Sequence, residues 1–210
     1  MQDDSIVFVI DDEQAIREAL DSLFRSAGVR AMSFASVADF LGSERPDAPA
    51  CLVLDVRLPG LNGLDFHGEM DELGIRVPVV FITAHGDVPM SVRAMRAGAV
   101  DFLIKPFQDQ ELLDAVRVGF ARDRLRRASL AAMATLKERY ESLTMREKEI
   151  LWLVVAGQQN KQIAARLGLS VITVKLHRGQ LMRKMQARSL IDLVRKTDIL
   201  SRTIDRGAIH

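Results

Sequence analysis

The chain is poor in the features that build disulfide frameworks, secretion signals and membrane spans. Cys51 is the single cysteine among 210 residues, which excludes an intramolecular disulfide and is typical of a reducing compartment. No stretch approaches about 20 uncharged apolar residues, so we expect no membrane-spanning helix. No N-terminal apolar segment resembles a signal peptide, because the only candidate is interrupted by Asp3, Asp4, Asp11 and Asp12. These absences predict a cytoplasmic protein without membrane contact.

The lone cysteine begins an apolar run, Cys51-Leu52-Val53-Leu54. Among apolar side chains a thiol packs as a small hydrophobic group, and burial keeps it protonated. Its position favours a buried structural thiol over a reactive one.

The chain has almost no net charge, but its two parts carry large net charges of opposite sign. The net charge is +1, yet residues 1–125 hold 12 Lys/Arg and 21 Asp/Glu, a net −9, and residues 126–210 hold 17 and 7, a net +10. The length leaves room for two cores, of roughly 120 and roughly 65 residues. An acidic half followed by a basic half suggests a cation-binding or signalling module joined to a nucleic-acid-binding one.

Four apolar runs each end in a polar or charged side chain. Such uniformly apolar runs indicate strands buried on both faces, as in a parallel sheet covered by helices. Because the carboxyl ends of parallel strands share one edge, these side chains are expected to meet in one pocket. The runs and the residues that follow them are Ile6–Ile10 with Asp11 and Asp12, Leu52–Leu54 with Asp55, Val79–Ile82 with Thr83, and Phe102–Ile104 with Lys105.

Amphipathic segments separate the strands, which predicts a five-stranded, doubly wound (flavodoxin-like) α/β domain. We expect its helices at 13–26, 37–41, 64–73 and 88–97. From Gln108 no strong helix breaker occurs until Gly157, and we predict a long helix from Gln108 to about Tyr140. Its charged second half is the predicted linker, with two alternatives: a solvated helix without a partner, or helix pairing between protomers.

The remainder of the chain has helical periodicity and no strand pattern. Thr144 and Glu147 form a predicted capping box, and helices are expected at 145–155, 160–167, 171–184 and 190–197. Between the second and third of these, Gly168 supplies a tight turn and Ser170 an N-cap, which indicates a helix-turn-helix. Lys175, together with Leu176, Gly179 and Arg183, is predicted to face outward and enter a DNA major groove. A four-helix interaction module without DNA binding is the alternative.

The acidic residues at the sheet edge indicate a cation site. Asp11, Asp12 and Asp55 repel one another when crowded, and a hard divalent cation such as Mg²⁺ relieves the repulsion, with a loop carbonyl as a further ligand. With no general base nearby, the natural chemistry is acceptance of a phosphoryl group by a carboxylate. Lys105 supplies a cation and Thr83 a hydroxyl donor, and a cis Lys105–Pro106 bond would direct the lysine.

The spacing of these motifs resembles the receiver domain of two-component response regulators, and the loop Thr83–Pro89 and the run Phe102–Phe107 are similar to the FixJ/NarL subclass. The resemblance implies that Asp55 is phosphorylated by a sensor histidine kinase. Asp12, Asp55 and the Arg57 carbonyl would hold Mg²⁺, with Asp11 assisting through water. Thr83 and Phe102 would form the switch, and helix 88–97 with the last strand would form a homodimer surface.

The C-terminal segment resembles the LuxR-type DNA-binding domain through Leu143–Glu147, Asn160–Ala164 and Thr173–His177. This implies base contacts from Lys175 and Leu176 to double-stranded promoter DNA, with RNA polymerase as a further partner. Gly179 departs from the longer polar residue often found there. The implied division is a receiver at 1–122, a helical linker at 123–142 and the helix-turn-helix domain at 143–210. The implied phosphate contacts are Lys161, Thr173 and His177.

Rival functions fit the sequence less well. A haloacid-dehalogenase-type phosphatase needs a carboxylate two residues after its nucleophile, where this chain has Arg57. A flavodoxin-like cofactor domain needs a phosphate-binding loop after the first strand, where Asp12 and Glu13 would repel a phosphate. A regulator that no longer uses phosphate is disfavoured by Asp55, Thr83 and Lys105. We therefore expect no enzyme beyond phosphotransfer and dephosphorylation at the chain's own aspartate.

Overall fold

The computed structural model describes residues 4–207, with side chains described through residue 201. These residues divide into two compact units, one ending at Arg127 and the other beginning at Ala128. Residues 1–3 and 208–210, which the predicted domain limits include, lie outside the described part. Over the described residues, no helix combines the length and apolar character needed to cross a membrane.

The first unit alternates strands and helices. Its main sheet has five parallel strands in the order β2-β1-β3-β6-β7, and two short strands, β4 and β5, form a separate antiparallel pair. The strands are β1 (Ile6–Ile10), β2 (Arg30–Phe34), β3 (Ala50–Asp55), β4 (Arg57–Leu58), β5 (Leu61–Asn62), β6 (Val79–Thr83) and β7 (Asp101–Ile104). The helices are α1 (Gln14–Ser26), α2 (Val37–Gly42), α3 (Gly63–Glu69), α4 (Val88–Arg96) and α5 (Asp109–Glu141).

Two apolar layers cover this sheet. Strands β1, β3 and β6 are buried along their whole length, and successive residues of β1 alternate between the two layers. Ile6 and Phe8 pack with residues of α2, α3 and α4 on one face, whereas Val7 and Val9 pack with residues of α1 and α5 on the other. Helices on both faces explain why these strands lack a polar alternation. The predicted doubly wound α/β fold is therefore confirmed.

The structure contains elements that the apolar pattern did not reveal. Strand β2 pairs only with β1 at the edge of the sheet, and none of its residues is fully buried. An edge strand needs no continuous apolar run, so its sequence is less distinctive. Likewise β4 and β5 lie within the segment predicted as a turn-rich loop.

The second unit is helical beyond α5. Its elements are α6 (Met145–Val155), α7 (Asn160–Leu167), α8 (Val171–Lys184) and α9 (Leu190–Gly207). The first three have the predicted bounds, whereas α9 continues past the predicted end at Thr197. The predicted capping box of Thr144 and Glu147 is present. Gly168 adopts a left-handed φ of 65° and Ser170 caps α8, so the predicted helix-turn-helix is confirmed.

A charged pair inside this second unit joins two of its helices. Glu147 is 2% exposed and accepts hydrogen bonds from the Thr144 N–H and from the Lys184 ammonium, the latter over 2.6 Å. The bond from Lys184 links the beginning of α6 to the end of α8, and the bond from Thr144 belongs to the cap of α6. Burial raises the pKa of Glu147, but the bonds from Lys184 and Thr144 outweigh it and hold the pKa below its usual value.

Helix α5 is continuous over 33 residues, and its middle is fastened to the first unit. The buried Asp123 carboxylate accepts the Ala50 N–H over 3.0 Å and also pairs with Arg126 and Arg127. Arg127 pairs in addition with Asp47. Residues 123–127, which the sequence assigns to the beginning of the linker, therefore pack on the first unit. The division at 122 and 142 stays a prediction.

Candidate functional site

The carboxyl edge of the sheet brings three predicted site residues into direct contact. Asp55 ends β3, Asp11 follows β1 and Lys105 follows β7. The Lys105 ammonium donates to Asp11 Oδ2 over 2.6 Å and to Asp55 Oδ2 over 2.7 Å. The Asp11 side chain is fully buried and that of Asp55 is 7% exposed. The Lys105 ammonium thus pairs with two carboxylates that lie 94 and 50 positions away from it in the chain.

A third carboxylate completes an acidic cluster. Oxygen atoms of Asp11, Asp12 and Asp55 all lie within 4.8 Å of one another, and Asp12 is exposed. Around an octahedral Mg²⁺ with ligands at 2.0–2.1 Å, opposite oxygens are about 4.2 Å apart. An all-oxygen set at this spacing fits such a cation after a small movement. Among the described residues, it is the one cluster of metal-ligating side chains of this kind.

Burial and charge shift the titration of the two groups deepest in the pocket. Burial raises the pKa of Asp11, while hydrogen bonds from Lys105 and from the Glu13 N–H act in the opposite direction. Burial also disfavours the charged form of Lys105, but its two carboxylate partners outweigh this effect and raise its pKa. Lys105 therefore stays a cation at neutral pH, as a group that neutralises phosphoryl oxygens must.

The predicted switch residues lie on neighbouring strands. Thr83 ends β6 and is fully buried, and its Oγ1 accepts the His85 N–H over 3.3 Å. Phe102, in β7, is half-buried, and its ring centroid lies 6.3 Å from that of Phe81. A side chain on Gly86 would collide with the Phe102 ring and crowd Thr83. The loop after β6 thus packs against both residues.

The loop that follows Asp55 is held close to it. The Arg57 N–H donates to Asp55 Oδ1 over 2.9 Å, which orients the carboxylate oxygen that Lys105 does not contact. Gly63 donates its N–H to the Val56 carbonyl, and a Cβ at Gly63 would overlap the Asp55 carbonyl oxygen. Glycine at this position is required by the approach of two backbones. Gly63 was not among the predicted site residues, although it lies in the turn-rich loop that follows Asp55.

A second site residue that was not predicted from the sequence, Arg17, lies on α1. The Arg17 guanidinium donates to the carbonyl oxygens of both Asp11 and Asp12. Its spacing of five and six residues from the two aspartates is visible in the sequence. However, Arg17 binds backbone carbonyls, which every residue has, so the sequence contains no partner side chain that would predict the contact.

The outward face of α8 is exposed as predicted. Val174, Leu181 and Met185 are buried in the core of the second unit, and the opposite side of the helix is open. Ile172, which was not predicted, is 80% exposed, and one turn later Leu176 is 60% exposed. Large apolar side chains presented in this way are able to contact thymine methyl groups. The exposed predicted residues are Lys161, Lys175, Leu176, Gly179 and Arg183.

Two further predicted DNA contacts are half-buried. Thr173 donates its N–H to the Ser170 hydroxyl, and the two hydroxyl oxygens lie 2.8 Å apart. His177 has a buried Nδ1 atom without a hydrogen-bond partner. Thr173 therefore supports the turn between α7 and α8, and His177 adds few polar atoms to the open face.

The doubly wound sheet with its acidic edge, followed by a basic helix-turn-helix unit, defines a protein that couples a receiver to DNA binding. Comparison with protein families agrees: the family "Response regulator receiver domain" matches residues 7–117, and the family "Bacterial regulatory proteins, luxR family" matches residues 141–197. The chain belongs to the response regulators that combine a receiver domain with a LuxR-type DNA-binding domain.

Curated relatives cover both units. Nodulation protein W of Bradyrhizobium diazoefficiens is 54% identical over 196 residues, which are 93% of this chain and 86% of that protein. Response regulator protein TodT of Pseudomonas putida is 44% identical over 201 residues, covering 96% of this chain and 88% of the relative. The similarity therefore extends through the helix that joins the two units.

Solved structures support the same assignment. Response regulator StyR, 44% identical, superimposes with a TM-score of 0.83 over 93% of this chain and 98% of the other. Full-length FixJ from B. japonicum, 36% identical, has a TM-score of 0.54 over 94% and 97% of the two chains. Membership of the FixJ-like response regulators, predicted from the motifs, is confirmed.

Proposed function

We propose that this chain is a phosphorylation-activated transcription regulator in which Asp55 accepts a phosphoryl group from a sensor histidine kinase. The observation that carries the proposal is the contact of Asp55 with both Lys105 and the acidic cluster at the carboxyl edge of the sheet. An oxygen of Asp55 attacks phosphorus as the bond from phosphorus to the kinase histidine nitrogen breaks. The product is an acyl phosphate on Asp55, and the imidazole leaves.

The ligands proposed for Mg²⁺ are the carboxylates of Asp12 and Asp55 and the carbonyl of Arg57, with Asp11 acting through water. When bound, Mg²⁺ supplies positive charge that stabilises the phosphoryl oxygens. The Lys105 ammonium neutralises a further oxygen, since its raised pKa keeps it charged. Arg57 directs the second Asp55 oxygen through its N–H.

In the proposed switch, the Thr83 hydroxyl leaves its contact with the His85 backbone and donates to a phosphoryl oxygen. The Phe102 ring then turns inward beside Phe81. The phosphoryl group adds up to two negative charges, enough to bias an element with two arrangements. Support comes from the packing of the loop around Gly86, which touches both Thr83 and Phe102.

The proposed homodimer surface is α4 with β7. Four large apolar side chains are exposed there, and such a patch is typical of an interaction site. Arg93, Arg96 and Asp101 are the charged residues proposed to pair across a two-fold axis. Arg93 already pairs with Asp65 in the same chain over 2.5 Å, so dimerisation would exchange one partner for another. The apolar residues are Val88, Val92, Met95 and Ile104.

The helix-turn-helix unit is proposed to bind double-stranded promoter DNA through α8. Lys175 and Leu176 would contact base edges, and Lys161, Thr173 and His177 would contact phosphates, with Arg183 further along the same face. The +10 charge of residues 126–210 supports this assignment. A cytoplasmic location, with RNA polymerase as a further partner, completes the proposal.

Phosphorylation at one residue tests the core of the proposal. The chain is treated with a small phosphodonor and Mg²⁺, and the wild type is compared with Asp55→Asn by intact-protein mass spectrometry and size-exclusion chromatography. The wild type is expected to gain one phosphoryl mass and to elute as a dimer, while the variant does neither. Equal phosphoryl gain in both proteins would rule out Asp55 as the acceptor.

A further inference from the structure

The loop between β1 and α1 carries two of the three acidic ligands, and one arginine holds its backbone. The Arg17 Nη1 atom donates to the Asp11 carbonyl over 2.7 Å and to the Asp12 carbonyl over 2.9 Å. Arg17 is half-buried in the first turn of α1. A single guanidinium nitrogen therefore binds the backbone carbonyls of both aspartates and leaves their carboxylates free of Arg17.

These two carbonyls precede the hydrogen-bonding pattern of the helix. The first carbonyl that α1 itself satisfies is that of Glu13, which accepts the Arg17 N–H over 3.2 Å. Glu13 occupies the N-cap position, and its side chain makes no capping bond. The Asp11 backbone is also held by its own N–H, which donates to the Phe34 carbonyl, and by its carboxylate, which accepts the Glu13 N–H over 2.9 Å. Arg17 is the side chain that holds the carbonyls of both Asp11 and Asp12, in place of a capping bond from Glu13.

Arg17 is not paired with an acidic side chain. Within the described residues, no carboxylate oxygen lies within 4.0 Å of its guanidinium, whereas Lys105 pairs directly with Asp11 and Asp55. Asp12 is exposed, and within the described part of the chain its carboxylate makes no hydrogen bond or ion pair with another side chain, although it lies near the carboxylates of Asp11 and Asp55. What aims the Asp12 carboxylate is therefore its own backbone, which Arg17 holds.

We propose that Arg17 is a positioning residue of the acidic pocket, which holds the Asp11–Asp12 backbone so that the Asp12 carboxylate meets a divalent cation together with Asp55. This inference rests on the proposed function of that pocket as a Mg²⁺ site. Groups that orient metal ligands without touching the metal commonly change its affinity by about 10- to 100-fold when they are removed. The guanidinium acts here through two carbonyls.

The sign of the effect separates positioning from simple electrostatics. A guanidinium beside a cation site repels the cation, so removing the charge alone would strengthen Mg²⁺ binding. Removing a positioning contact weakens binding instead, because the Asp12 backbone then samples other directions. A residue that serves only to stabilise α1 would lower the melting temperature and leave the affinity unchanged.

The test is calorimetric titration of the full chain with Mg²⁺, without a phosphodonor, for the wild type and Arg17→Met. Arg25→Met is the matched control, since it removes an exposed arginine from the same helix. Arg17→Met is expected to raise the dissociation constant about tenfold, Arg17→Lys to recover part of the loss, and Arg25→Met to match the wild type. Melting temperatures are measured on the same samples.

Unchanged or tighter binding by Arg17→Met would overturn the positioning role, whatever its melting temperature. An equal loss of affinity in Arg25→Met would overturn it too, since a general effect of altering α1, and not the Arg17 contact, would then be responsible. Asp12→Asn and Asp55→Asn test the site itself. If neither substitution weakens Mg²⁺ binding, the cation binds elsewhere. The proposal that the acidic pocket is a Mg²⁺ site would then be wrong, and so would this inference.

Discussion

Cys51 illustrates how one residue's chemistry is set by its neighbours. Its side chain is fully buried, and burial raises the pKa of the thiol to about 12. A Cβ at Gly119, in α5, would overlap the Cys51 sulfur, so helix and strand meet at this point without a gap. The predicted burial of this thiol is confirmed.

The raised pKa of Cys51 predicts an inert thiol in the folded chain. At pH 8 the thiolate fraction would be about 1 in 10,000, against roughly a quarter for an ordinary cysteine. We expect a disulfide reagent to label native protein at least about 100-fold more slowly than protein in denaturant. Rapid labelling of the native chain would show that β3 opens at its beginning.

At the scale of an element, α8 has a core side and an open side, with partly buried residues between them. The buried side chains, Val174, Leu181 and Met185, are spaced by seven and four residues, which places them on one face of the helix, and they pack with α6 and α7. The open side combines charge with exposed apolar groups such as Ile172 and Leu176. Such a surface suits the major groove, where methyl groups and base-edge acceptors alternate.

The open face of α8 predicts a sequence-specific defect for Lys175→Ala. A lost base-edge contact costs about 1–3 kcal/mol and relaxes specificity at the contacted base pair. Footprinting on a bound promoter is expected to show roughly 5- to 150-fold weaker specific binding. Arg195→Ala, which removes an exposed charge from α9, is the control. Equal losses in the two variants would indicate a general charge effect.

At the scale of the whole molecule, each unit has its own apolar core. The core of the first unit lies on the two faces of the sheet, and that of the second lies among its helices. Trp152, the single tryptophan of the chain, belongs to the second unit and lies 6.4 Å from Tyr140 between ring centroids. Its fluorescence therefore reports on that unit.

Separate cores predict separate responses to Mg²⁺. A ligand stabilises the unit that binds it, by about 2.7 kcal/mol at a hundredfold excess over Kd, which corresponds to roughly 10 °C for a unit of this size. We expect Mg²⁺ to raise the unfolding transition of the first unit in far-UV circular dichroism. The Trp152 transition should not move. A parallel shift of both would indicate that the two units unfold together.

Local rules account for much of the fold. The bounds of α6, α7 and α8 follow from Thr144, Gly168 and Ser170, because caps and glycine turns depend on a few adjacent residues. The cis bond between Lys105 and Pro106 was expected and is present. Strand β2 was harder to locate, since an edge strand with half-buried residues lacks the apolar run that reveals a central strand.

The sequence by itself determined the fold class, the acidic edge of the sheet and the family, because strand periodicity and strand-end residues are local patterns. Only the tertiary structure decided that Lys105 bridges Asp11 and Asp55, that Asp123 fastens α5 to the beginning of β3, and that Arg17 holds two carbonyls. These contacts either join residues that are far apart in the sequence or bind backbone atoms. The identity of a residue reveals neither which distant residue it will contact nor whether its partner will be a backbone carbonyl.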